Sequence, residues 1–125
     1  MKPVLLVALG GALGSVARWL LTGWVQSLSP TSTFPWGTFA VNAVGSFAIG
    51  ALVTLALERA LVPPSARLFL VTGVLGGFTT FSAFSYETLQ LMRDGQWPAA
   101  FGYSVSSLVV GVAAAFVGCA AAARL

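Results

Sequence analysis

Residues 73–87, GVLGGFTTFSAFSYE, set the reading of the whole chain, because they put Gly73, Gly76, Gly77, Thr79, Thr80, Ser82 and Ser85 inside a long apolar segment. A Gly is less favourable than Ala by roughly 1 kcal/mol in a helix interior, and a β-branched Thr adds a few tenths. Gly76, Gly77, Thr79 and Thr80 therefore predict an interruption of the helix. In hydrocarbon, an interruption frees backbone N–H and C=O groups, which persist only when buried in protein or lining a wet cavity. A half-helix ending near Gly76 offers carbonyls and a negative dipole end, suited to a cation. One starting near Thr79 to Phe81 offers N–H groups and a positive end, suited to an anion. The same small residues also fit a kinked helix that simply lets a neighbour approach closely.

The surrounding composition makes this a membrane problem. Of 125 residues, 58% are hydrophobic and 7% charged, against about a quarter charged in soluble domains; the mean hydropathy is +0.93. Four spans of about 20 residues consume most of the length, which predicts one all-α transmembrane domain over residues 1–125, with spans at about 4–25, 37–57, 67–91 and 98–123. The formal charge of +3 comes from single basic residues at Lys2, Arg18, Arg59, Arg67, Arg93 and Arg124. No basic run is present to track phosphates, so no nucleic acid partner is expected. His is absent, Cys119 is the one cysteine, and the acids are Glu58, Glu87 and Asp94. That set lacks the usual general base and excludes a Cys-based metal cluster or an intrachain disulfide, and no enzymatic activity is expected.

In chain order, the first span is too long for a signal-peptide core and lacks a clear cleavage site, so it reads as retained. Gly10, Gly14 and Arg18 share one face at i, i+4 spacing, with Gly11 and Ser15 beside them, a surface for close helix packing. Arg18 either snorkels toward an interface marked by Trp19 and Trp24 or lines an electropositive mouth. The loop 26–36 is rich in Ser, Thr and Pro. In the second span, about 31 Å long at 1.5 Å per residue, Thr38, Asn42, Ser46 and Gly50 form one stripe; Asn42 either bonds a neighbouring helix or presents its amide to an anion. Beyond residues 73–80, helical spacing puts Phe81, Phe84, Ser85 and Thr88 on a contiguous face with Ser82 on its flank. Aromatic ring edges are the positive end of the ring quadrupole. Pro98 opens the last span, in which Ser104, Ser107 and Gly111 follow a stripe near Tyr103 and Ser106. Lys2, Arg59, Arg67 and Arg124 on one side, against Arg93 and Arg18 on the other, give a mild bias toward cytoplasmic termini.

Three stretches, GGALGSVARW at 10–19, GTFAVNAVGSFAIG at 37–50 and GVLGGFTTFSAFSYE at 73–87, resemble the CrcB, or Fluc, family of fluoride channels over essentially the full chain. The third motif is highly specific, the second fairly so. The resemblance implies a multi-pass protein of the bacterial plasma (inner) membrane whose third helix is broken, assembled as an antiparallel, dual-topology homodimer. It implies two fluoride pores and a structural sodium ion at the dimer interface. Carried over residue by residue, it puts the sodium ligands on the backbone carbonyls of Gly76 and Thr79, and the facing pore phenylalanines at Phe81 and Phe84. The pore Asn falls at Asn42, a hydroxyl track at Ser82, Ser85, Thr38 and Ser107, a pore-mouth Tyr at Tyr103, and a vestibule Arg at Arg18. Ala83 stands where Thr is common and Gly111 where some members have Ser, which shortens the track.

The implied function is passive, fluoride-selective efflux that lowers cytoplasmic fluoride toxicity. Physically it is coherent: neutral donors such as Asn42, serine hydroxyls and ring edges can replace a small anion's water shell and still release it. The alternative is a small proton-coupled multidrug exporter, also built from four short spans in dual topology, which wants a membrane-embedded acid. Here the first span has none, and Glu87 lies toward the end of the third.

Overall fold

A computed structural model of the protein describes residues 1–125 and is entirely helical. Four helices are long and apolar enough to cross a membrane: Lys2–Ser27, Trp36–Glu58, Pro64–Arg93 and Trp97–Ala122. They extend slightly past the ranges expected from hydropathy, because polar end residues such as Lys2, Ser27 and Arg93 continue the helical hydrogen bonding beyond the apolar run.

Prolines set three of the starts. Pro3, Pro64 and Pro98 sit in first turns, where the missing N–H removes no intrahelical bond. The second helix widens to i→i+5 hydrogen bonding over Thr54–Glu58 and stops at Ala60, whose φ of +53° is left-handed. The third span stops at Gly95, φ +73°, where the Gln96 N–H returns to the Leu91 carbonyl at 2.8 Å in a Schellman-type end.

The third span is not uniform. Pro64–Arg67 is α-helical, Leu68–Leu75 widens to i→i+5 bonding, and Gly76–Phe78 closes the first part. Thr79 (φ −80°, ψ 155°) and Thr80 (φ −150°, ψ 119°) are extended, and Phe81–Arg93 resumes as α-helix. Helical conformation thus persists through the glycine pair at 76 and 77, past the point near Gly76 where the sequence reading ended it. The two β-branched residues that follow leave it.

Two tight pairs build the bundle. The first helix lies against the residues preceding Thr79, and the second against the fourth. A methyl group built on Gly14 would meet the Val74 carbonyl oxygen and, at 2.9 Å, the Phe78 nitrogen; one on Gly50 would meet the Ala115 carbonyl. Only glycine lets these backbones approach so closely. The packed interior is small, with Tyr103, Ala100 and Leu91 surrounded by Phe34, Phe39, Phe84 and Met92. Large apolar side chains such as Trp19, Phe101 and Phe116 face outward along the helices, as lipid-facing surfaces do.

Because Gly14 fixes the first helix against backbone just before Thr79, Gly14→Ala should push the two apart. The expected loss is about 2 kcal/mol, as for other overpacked contacts, read as a shift in reversible unfolding of the purified protein in detergent mixtures.

Candidate functional site

Leaving the helix at Thr79 and Thr80 changes where the backbone bonds go. In a continuous helix the Thr80 N–H would donate to the Gly76 carbonyl. Here it donates to Asn42 Oδ1 at 2.9 Å, and Asn42 Nδ2 donates back to the Thr80 carbonyl at 3.1 Å. The amide of one side chain thereby pairs with a whole peptide unit in both directions. Thr80 Oγ1 in turn accepts the Ala83 N–H at 3.2 Å and caps the helix that follows. The Leu75 carbonyl receives both the Thr79 N–H at 3.0 Å and the Thr79 hydroxyl at 2.9 Å.

Carbonyls around the break lose their helical donors. The Gly76 carbonyl has lost its regular i+4 donor to Asn42, and that of Thr79 accepts no backbone amide. Unpaired carbonyls at membrane depth are costly, and hard monovalent or divalent cations take such oxygens as ligands. Gly76 is exposed on this single chain, and a methyl built on it would touch nothing nearer than the Val71 oxygen at 4.0 Å.

Beside these residues lies a cavity of about 470 Å³, bordered by Asn42, Ser46, Thr79, Phe81, Phe84 and Ser107. Its chemistry is mostly apolar with a few neutral donors. The Asn42 amide nitrogen has two hydrogens; one is held by Thr80, and the other belongs to a side chain at the cavity wall. The rings of Phe81 and Phe84 lie 5.7 Å apart at 42°. Phe81 is 79% exposed on the single chain, so the cavity is open on that flank.

A second polar cluster sits farther along the same span. Thr38 Oγ1 donates to Glu87 Oε1 at 2.7 Å, and the Tyr103 hydroxyl donates to Glu87 Oε2 at 2.8 Å. Both donors are buried, Thr38 at 3% exposed and Tyr103 at 0%. A smaller cavity of about 300 Å³ reaches this cluster from the end of the bundle formed by residues 26–35 and 90–94. Phe84 stands between the two cavities: it borders the larger one and stacks on Tyr103 with centroids 5.1 Å apart.

The candidates named from the sequence therefore divide. Asn42, Phe81, Phe84, Ser107, Gly76 and Thr79 are brought together at the larger cavity. Thr38 and Tyr103 belong instead to the Glu87 cluster. Ser82 and Ser85 are exposed and border neither cavity. The Ser82 hydroxyl lies 3.3 Å from Thr80 Oγ1, and that of Ser85 donates to the Phe81 carbonyl at 3.0 Å. Short hydroxyls in a helix commonly turn back on their own backbone in this way. Arg18 is partly exposed on the first helix and borders neither cavity. Glu87 is the residue the sequence reading missed as a site member. Its signal was an acid placed inside an apolar span, which demands donors from other helices.

Removing the Asn42 amide leaves a peptide unit unpaired at membrane depth. Asn42→Ala should cost about 2 kcal/mol and speed hydrogen exchange at the Thr80 amide relative to that of Leu91, which would be read by mass spectrometry or NMR.

Comparison with known proteins gives a consistent family. Residues 5–119 match the family described as CrcB-like protein, Camphor Resistance (CrcB). A fluoride-specific ion channel FluC of Opitutus terrae is 53% identical over 127 residues, covering 100% of this chain and 96% of the relative. Proteins of the same name from Thermus thermophilus and Agrobacterium fabrum are 56% and 52% identical, covering 91% and 96% of this chain and 88% and 95% of theirs.

Proposed function

The chain belongs to the CrcB family and is a multi-pass fluoride channel of the bacterial cell membrane, and from that premise we propose the route and the assembly through which fluoride leaves the cell passively. The reading rests above all on one observation: Asn42, Phe81 and Phe84 meet at a single cavity where Thr79 and Thr80 depart from helical geometry. In this reading the third helix is functionally broken there.

Fluoride is small and strongly hydrated, so its path must exchange water for several donors while remaining too narrow for larger halides. The free Asn42 N–H, the Ser107 hydroxyl and the edges of Phe81 and Phe84 are neutral donors. They hold an anion without the tight grip of a full positive charge and so let it pass on. Arg18, at the outer surface of the first helix, would raise the local anion concentration in a vestibule.

Assembly as an antiparallel homodimer completes the enclosure. Phe81 stands 79% exposed, and Ser82, Ser85 and Gly76 face outward with it. A second copy laid against this surface would supply the missing wall and extend the donor track along Ser82 and Ser85, giving two pores per dimer. The carbonyls of Gly76 and Thr79, each without its usual backbone donor, fit a hard cation. Those of both copies would hold a structural sodium ion on the dimer axis, which stabilises the helix ends and makes the surroundings more favourable for an anion. Family membership replaces the exporter alternative.

In liposomes monitored with a fluoride electrode, the protein should release fluoride and retain chloride without any imposed pH gradient. Phe84→Ile should lower that release at least about tenfold, a barrier increase of about 1.4 kcal/mol, while the dimer persists on size exclusion. Unchanged release would show the rings to be packing alone. Exchange of sodium for a large organic cation during purification should shift the protein toward monomer; assembly indifferent to sodium would remove the cation from this account.

A further inference from the structure

We propose that Gln26 is a positioning residue that sets one mouth of the route by fixing both hydroxyl donors to Glu87. The proposal rests on the reading of the chain as a fluoride channel. Gln26 closes the first helix, far in sequence from the cluster it would control.

Its side-chain amide gathers three backbone groups of the following loop. Nε2 donates to the Ser32 carbonyl at 3.4 Å and to the Phe34 carbonyl at 3.3 Å, while Oε1 accepts the Gly37 N–H at 3.2 Å. The last of these is one of the four amides that a helix start leaves without an intrahelical partner. Pro35, at the cap position of the second helix, provides no side-chain bond for it. Gln26 therefore caps the second helix from the end of the first.

Each end of this clamp leads to one donor of the Glu87 cluster. On one side, Gly37 immediately precedes Thr38, whose hydroxyl meets Glu87 Oε1. On the other, Phe34 places its ring edge-on to Tyr103, centroids 5.3 Å apart at 73°, and Tyr103 meets Glu87 Oε2. Gln26, Phe34, Thr38 and Glu87 all border the smaller cavity, so the clamp also sets how wide that cavity opens. A free amide of this size with both faces committed to backbone has a single arrangement that satisfies all three bonds, which makes it a rigid spacer rather than a solvated surface group.

The test is a double-variant cycle on fluoride efflux from liposomes. Gln26→Leu, of similar size but unable to bond, should lower efflux about fivefold, the scale of loss a displaced positioning group produces, with the dimer intact on size exclusion and chloride still excluded. Tyr103→Phe should also lower efflux. The double variant Gln26→Leu/Tyr103→Phe should conduct no more slowly than the slower single variant, because the two changes disable the same arrangement. If Gln26→Leu does not assemble, Gln26→Glu, which keeps the acceptor for the Gly37 N–H and loses both donors, takes its place with the same non-additivity expected. Undiminished efflux, or losses that multiply in the double variant as they would if Gln26 served stability alone, would overturn the proposal while the parent conducts. A parent that releases no fluoride would instead overturn the channel reading, and this one with it.

Discussion

The pairing of the Asn42 amide with the Thr80 peptide is the constraint on which the site depends. A chain that leaves helical geometry within a membrane must find partners for the groups it releases, and water is not available to supply them. Asn42 offers a donor and an acceptor on one rigid plane, at 3.1 and 2.9 Å from the Thr80 carbonyl and amide. That satisfies the peptide unit at the turning point and fixes the direction in which Phe81–Arg93 sets out. The same pairing takes the Thr80 amide away from the Gly76 carbonyl, while the Thr80 hydroxyl takes the Ala83 amide away from that of Thr79.

The packing around this point separates rigid from adaptable parts. Gly10, Gly14 and Gly77 hold the first helix against residues 69–78, and Gly50 and Gly118 hold the second against the fourth. Both contacts are backbone to backbone, where little movement is tolerated. Between the two pairs run Asn42 and the cavity, so the groups that would meet an ion are carried by elements with almost no freedom to shift. Phe84 then links the two polar regions through its contacts with Phe81 and Tyr103, and the stripe Thr38, Asn42, Ser46 passes from one cavity to the other along a single helix face.

How much of this could be read in the amino-acid order differs from residue to residue. The interruption drew attention because Gly76, Gly77, Thr79 and Thr80 are poor helix formers inside an apolar run, yet propensity alone located the end of the helix too early. The glycines tolerate helical angles, and their role is close approach, as the contact of Gly77 with Gly11 illustrates. Sequence left Asn42 between two roles, and it has room for both: one N–H and its oxygen serve the Thr80 peptide, and one N–H remains. For Thr38 and Tyr103 the motifs named no hydrogen-bond partner. The resemblance put Thr38 on a hydroxyl track and Tyr103 at a pore mouth; in the structure both hydroxyls donate to Glu87, and Tyr103 also packs on Phe84, because a carboxylate oxygen is a stronger acceptor than the neutral groups around it.

By itself the sequence determined that this is a four-span membrane protein, since length, charge content and apolar runs admit no other class, and its motifs carried the family. Which side chains face one another was decided only in three dimensions. Hydropathy is a property of each segment and is conserved under rotation of a helix about its axis. The alignment of Asn42 with Thr80, of Thr38 and Tyr103 with Glu87, and of Gln26 with the loop after it depends on the rotation and depth that the glycine contacts impose between helices distant in the chain.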